Sequence, residues 1–211
     1  MAAPAGDDDP LPVGTGLLLV ITFLSFALEG IDPGYRYRFW LYGPQALGGQ
    51  WWQLATSLFL HASLLQLGFN MAALFVFGPP LERAVGTRRF VIVYLLSGVA
   101  GNMLSVAVTP RIQTVGASGC LFGVGGAWIG IQLRRAVFPS RVVWLLVAYI
   151  VFMLATGFLA DAALNNVAHL GGFLCGLAGG LALASELGST SGEAARDGAS
   201  PQEDPSTTQE N

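Results

Sequence analysis

The chain has 211 residues, of which 53% are hydrophobic and only 11% charged. A soluble domain carries about 25% charged residues, so this composition excludes an ordinary water-facing globule and points to a chain solvated by lipid. The formal net charge of -3 comes mainly from acids near the two ends, and with no lysine and no basic patch the sequence offers nothing to a nucleic acid.

Residues 1–10 contain Asp7, Asp8 and Asp9 and read as a disordered N-terminal segment. No basic residue precedes Arg36, so Leu11 to Leu28 lacks the positive flank of a cleaved signal and reads as a retained first span. Asp32 to Gln50 is an aromatic loop with Tyr35, Tyr37, Phe39, Trp40 and Tyr42, followed by Trp51 and Trp52. That density suits a segment at the lipid–water interface. The long charge-free stretch Phe39 to Leu81 exceeds one crossing, and a second span is expected at about 53–77. Further uncharged runs follow at Phe90 to Pro110, Ile112 to Leu133, Val142 to Ala160 and Ala162 to Ser185. Each is near the ~20 residues that cross a ~30 Å hydrocarbon core. The expected fold is an all-α membrane protein with a six-transmembrane-helix bundle over 11–186, and 187–211, rich in Gly, Ser, Pro and acids, is expected to be a disordered tail.

Arginines set the expected orientation. Arg83, Arg88, Arg89, Arg134, Arg135, Arg141 and Arg196 fall on one side of a six-span arrangement, and Arg36, Arg38 and Arg111 on the other. The positive-inside rule then places both termini in the cytoplasm. The sequence does not name the membrane and carries no signal for an oligomeric state.

Polar residues inside spans are costly and tend to be functional. The second expected span holds His61, Gln66 and Asn70, the fourth Ser118, and the sixth Asn165, Asn166 and His169. The chain has two histidines, and both are in this set. For continuous helices rising about 1.5 Å per residue, His61 would lie roughly 12–15 Å and His169 roughly 10–12 Å from the same surface, with Ser118 roughly 6 Å below Thr114. All three then share one membrane half. Glycines recur at Gly119, Gly123, Gly126 and Gly130 in the fourth span, and at Gly172, Gly176 and Gly180 in the sixth. Such stripes let helix backbones approach in lipid. If the two stripes face each other, Ser118 and His169 meet at one end, the minimum arrangement for an activated nucleophile. The backbone around Gly119, at a helix start, could then serve an oxyanion. Taken singly, the same residues have plainer readings: a membrane Ser back-bonds to its helix, and His, Asn and Gln act as interhelical glue. Cys120 and Cys175 read as small packing residues, with no metal-ligand or disulfide spacing.

His61-Ala62-Ser63, Phe69-Asn70, Gly116-Ala117-Ser118-Gly119 and Ala168-His169-Leu170-Gly171-Gly172, in that order and on those spans, resemble the rhomboid family of intramembrane serine proteases. The resemblance runs from about Trp51 to Leu183. It implies a Ser–His dyad, with Ser118 as nucleophile and His169 as general base. It also implies that Asn70 is an oxyanion donor beside the Ser118 N–H, and that His61 holds that region together. Leu81-Glu82-Arg83 with Gly86 resembles the family's turn after the second span. The implied reaction is hydrolysis of transmembrane protein substrates within the lipid bilayer, without metal or cofactor. Three positions depart from the family's usual pattern. Gln66 replaces a histidine near the oxyanion hole and retains an amide donor. Phe122 replaces a tyrosine and can keep the stacking on the histidine but not the hydroxyl. Trp52-Gln53 replaces a Trp-Arg pair. The alternative function is a proteolytically inactive relative that binds transmembrane clients for trafficking or quality control. A transporter is disfavoured because no internal repeat or mid-span charge is evident.

Overall fold

The computed structural model of the chain describes residues 10–135, 144–151, 153 and 166–197. These residues are helical throughout, apart from loops and one isolated antiparallel bridge between Leu41 and Thr114.

Helix α1 (Val13–Ile31) begins after Pro12, which has no side-chain hydrogen bond to give the free N–H groups of the first turn. Glu82, far along the chain, takes that role. Its carboxylate accepts from Gly14 N, Thr15 N and Thr15 Oγ1, each at 2.7 Å, and from Thr87 Oγ1 at 2.7 Å. One buried acid thereby ties α1 to two later helices.

The aromatic loop is folded. It contains α2 (Tyr35–Phe39) and α3 (Gly43–Leu47). Gln53 anchors it from below: its amide Nε2 donates to Gln45 Oε1 and Gln50 Oε1, and its Oε1 accepts from Tyr42 N. The bridge to Thr114 and a bond from Gly43 N to Pro110 O fasten the loop to the segment before the fourth expected span.

The expected second span at 53–77 is corrected. The chain forms α4 (Gln53–Thr56) and a 3-10 turn (Ser57–Phe59), breaks at 60–63, and only then enters α5 (Leu64–Val85). The break is specified locally. Ser63 is extended and its side chain accepts from Gln66 N, while Gln66 Oε1 accepts from Ala62 N at 2.7 Å. This is a capping-box logic, with the return bond one residue further back than usual. His61 therefore stands in the break, outside any helix, and its expected depth, which assumed a uniform helical rise, does not apply. The helix also carries Pro79 and Pro80 and runs past Leu81, Glu82 and Arg83. The turn is made at Gly86, φ +84°, which leads directly into α6 (Thr87–Val108).

Helix α7 (Ser118–Arg135) starts later than the expected 112, because residues 110–117 form the loop paired with Leu41. Residues 144–151 are helical and are termed α8; the rest of the fifth expected span, apart from residue 153, lies outside the described residues. Asn165 also lies outside them. Helix α9 (Asn166–Asp197) continues past residue 186, where the membrane domain was expected to end. The N-terminal residues 1–9 and the last part of the tail, 198–211, are outside the described residues.

Among the described residues, α1, α5, α6 and Asn166–Glu186 of α9 are long and apolar enough to cross a membrane. Their exposed residues include Leu17, Val20, Phe23, Leu24, Leu96 and Leu174, while Thr15, Asn70, Glu82, Asn102 and Ser105 are buried and hydrogen-bonded. Apolar surface outside and hydrogen-bonded polar groups inside suit lipid as solvent. The less apolar α7 is enclosed by α6 and α9, with Ser118 to Ala127 buried throughout.

Candidate active site

Ser118 is the first residue of α7 and His169 lies in the first turn of α9. The two helices run parallel and meet backbone to backbone. A Cβ added to Gly172 would lie 2.9 Å from the Gly119 carbonyl carbon, on Gly176 2.6 Å from Gly123 Cα, and on Gly180 2.7 Å from the Ala127 carbonyl carbon. Only glycine allows this approach, and the four-residue spacing on both helices keeps it in register.

At the end of the seam, His169 Nε2 is 2.8 Å from Ser118 Oγ. Both are enclosed, with Ser118 8% and His169 2% exposed. Phe122, one turn beyond Ser118, stacks on the imidazole with ring centroids 4.3 Å apart and 4° between planes. His169 Nδ1 has no hydrogen-bond partner among the described residues, so the aromatic face and the bond to Ser118 hold the ring. A hydroxyl bonded to an imidazole nitrogen can lose its proton as it attacks a carbonyl.

A second cluster lies beside the approach to Ser118. Asn70 Nδ2 is 3.0 Å from His61 Nε2, and Gln66 Nε2 donates to Val115 O at 3.1 Å. Both amides converge on Gly116, two residues before Ser118. A Cβ there would lie 2.7 Å from Gln66 Nε2 and 3.6 Å from Asn70 Nδ2. Gly116 has φ +123°, and its N–H donates to Ser57 O at 3.0 Å. Ser118 and Gly119 add first-turn N–H groups that an α-helix leaves without intrahelical partners. The structure thus gathers Ser118, His169, Phe122, Gly119 and the glycine seam in one place, with Asn70, Gln66 and His61 beside them.

Several contributors were not singled out in the sequence. Glu29 and Arg36 pair at 2.6 Å and hold the main chain of His61 from both sides: His61 N donates to Glu29 Oε1, and Arg36 Nη2 donates to His61 O. Asn102 donates to Leu54 O and Ser57 Oγ, fixing the turn that receives Gly116. Tyr149 of α8 donates to Asn70 Oδ1 at 3.3 Å. Glu29 could have been noticed as an acid at the end of an apolar span; the roles of Asn102 and Tyr149 depend on contacts between elements far apart in the chain. Cys120 and Cys175 are free thiols.

Comparison with known proteins bears on the same region. Residues 48–186 match the sequence model of the Rhomboid domain. Rhomboid protease GluP of Bacillus subtilis (strain 168) is 36% identical over 184 residues, covering 84% of this chain and 35% of that protein. YdcA of the same bacterium, which also carries the rhomboid protease name, is 33% identical over 174 residues, 78% of this chain and 84% of that one. RHOMBOID-like protein 6, mitochondrial, of Arabidopsis thaliana is 36% identical over 139 residues, 64% of this chain and 45% of that protein. The chain therefore spans about a third of GluP, under half of the Arabidopsis protein and most of YdcA. With the domain match spanning the break at His61, the start of α7 and the glycine seam, the chain belongs to the rhomboid family.

Proposed function

We propose that the protein is an intramembrane serine endopeptidase that cleaves transmembrane segments of other membrane proteins. The observation that carries this reading is the 2.8 Å contact between the buried Ser118 Oγ and His169 Nε2. His169 acts as the neutral tautomer protonated on Nδ1, leaving Nε2 to accept. Ser118 Oγ attacks the scissile carbonyl carbon while its proton passes to Nε2. The carbonyl oxygen becomes an oxyanion, met by Asn70 Nδ2, by Gln66 Nε2 and by the N–H groups of Ser118 and Gly119. The intermediate collapses, the C–N bond breaks, and His169 returns the proton to the leaving amine. Water, deprotonated by His169, then hydrolyses the acyl ester and restores Ser118. The chemistry is complete without metal or cofactor.

In this reading the membrane domain has six spans over 11–186, counting α7 and the span that contains α8, and both termini are cytoplasmic. Gln66 substitutes for a histidine by its amide, and Phe122 orients His169 by stacking alone. Glycines 123, 172 and 176 bring the dyad together.

The test is purified protein in liposomes with a fluorogenic transmembrane substrate, beside Ser118→Ala and His169→Ala. The expected result is cleavage by the wild type and none by either variant. A serine-directed fluorophosphonate probe should label Ser118 only when His169 is present. A folded wild type that neither cleaves nor labels would favour a client-binding, non-proteolytic role.

A further inference from the structure

Tyr149 contributes a polar atom to the site from a helix with no residue in the proposed catalytic set. Its ring packs on Phe77 of α5, with centroids 5.9 Å apart and planes at 54°. Its hydroxyl reaches along the same face of α5 to Asn70 Oδ1, 3.3 Å away. Phe77 and Asn70 are two turns apart on that face. Leu146, one turn before Tyr149, is fully buried, and Leu146 and Ile150 lie over Gly125 of α7. Helix α8 therefore straddles α5 and α7 with its one phenol at the polar cluster.

The Asn70 amide is held at both ends. Its oxygen accepts from Tyr149, and its nitrogen donates to His61 Nε2 at 3.0 Å. The nitrogen carries two hydrogens, so one remains after His61 is satisfied. The direction of that second N–H is set by the plane of the amide, and the terminal torsion of an asparagine is intrinsically broad. One anchor leaves the plane free to swing about it; two anchors fix it.

We propose that Tyr149 is a positioning residue for the reaction. By holding Asn70 Oδ1, its hydroxyl aims the remaining Asn70 N–H at the oxyanion formed when Ser118 attacks. Because Tyr149 and Asn70 stand on different helices, that aim also depends on α8 being seated against α5. This role rests on the proteolytic reading above.

The experiment is steady-state proteolysis in liposomes for the wild type, Tyr149→Phe, Asn70→Ala and the double variant, with thermal unfolding of each. Tyr149→Phe removes one oxygen and keeps the packing on Phe77. The expected result is a fall in kcat of roughly five- to tenfold, the scale of one modest hydrogen bond, with KM and the unfolding midpoint unchanged. In the Asn70→Ala background the same change should have no further effect, because the group it positions is gone. Fluorophosphonate labelling should slow in parallel with kcat. The proposal is overturned if Tyr149→Phe leaves kcat unchanged, moves only KM, or lowers kcat by the same factor with and without Asn70. A wild type active through Ser118 and His169 beside any of those results leaves the protease reading intact. A wild type that neither cleaves nor labels removes both.

Discussion

Gly116 shows how much a single residue can carry here. Its φ of +123° lies where side chains are strained, and an added Cβ would press on Gln66 Nε2 from 2.7 Å. Gly116→Ala should therefore cost about 1–3 kcal/mol in stability from backbone strain. It should also displace the Gln66 amide, lowering kcat by at least tenfold if that amide serves the oxyanion. Denaturant titration and liposome kinetics measure the two effects separately. Ser118 and His169 were legible in the sequence because their chemistry is unusual in apolar spans and their neighbours form recognisable motifs. The double duty of Gln66 was spelled out as Ser63-x-x-Gln66, a helix start, yet hidden by reading the whole stretch as one span. Tyr149 could not be found from sequence, since a tyrosine in an apolar run gains meaning only from the helix it faces.

At the scale of elements, hydropathy located the four described helices that are long and apolar enough to cross a membrane, but not the interruptions. Residues 53–63 are apolar enough to read as helix, and only the side chains that satisfy the broken backbone reveal otherwise: Glu29, Arg36, Ser63 and Gln66. The α7/α9 seam was legible for the opposite reason, because glycine at every fourth position has few other uses in lipid. Gly176→Leu tests it. The added side chain meets the Gly123 backbone, which cannot rotate away, so the helices must part. Overpacking of this kind costs about 1–3 kcal/mol. The larger expected effect is loss of the 2.8 Å Ser118–His169 contact, read as loss of fluorophosphonate labelling in protein that still has its helical circular dichroism.

Across the whole molecule, Glu82 is the point where three long helices are joined. Its carboxylate accepts from the start of α1 and the start of α6 while belonging to α5. Glu82→Gln keeps the shape but removes the charge from these bonds and turns one acceptor into a donor. A destabilisation of about 1–3 kcal/mol is expected, measurable by denaturant titration in mixed micelles, with the Ser118–His169 pair intact in the protein that remains folded. The inside-out distribution of polarity was foreshadowed by composition. The particular acid that closes the α1 end was not, because its partners lie 67 and 68 residues away in the chain.

The parallel α7/α9 seam has a consequence for how the protein meets membranes of different thickness. Ser118 and His169, the proposed nucleophile and base, sit on the opening turns of two helices that are locked backbone to backbone and point the same way. A thicker or thinner bilayer can tilt or slide that pair only as a unit, so the distance across which the proton travels stays fixed. What changes is the height of the pair relative to a client helix embedded in the same lipid. Lipid composition would then act as a ruler that selects which peptide bond is presented, while the chemistry at the bond remains the same.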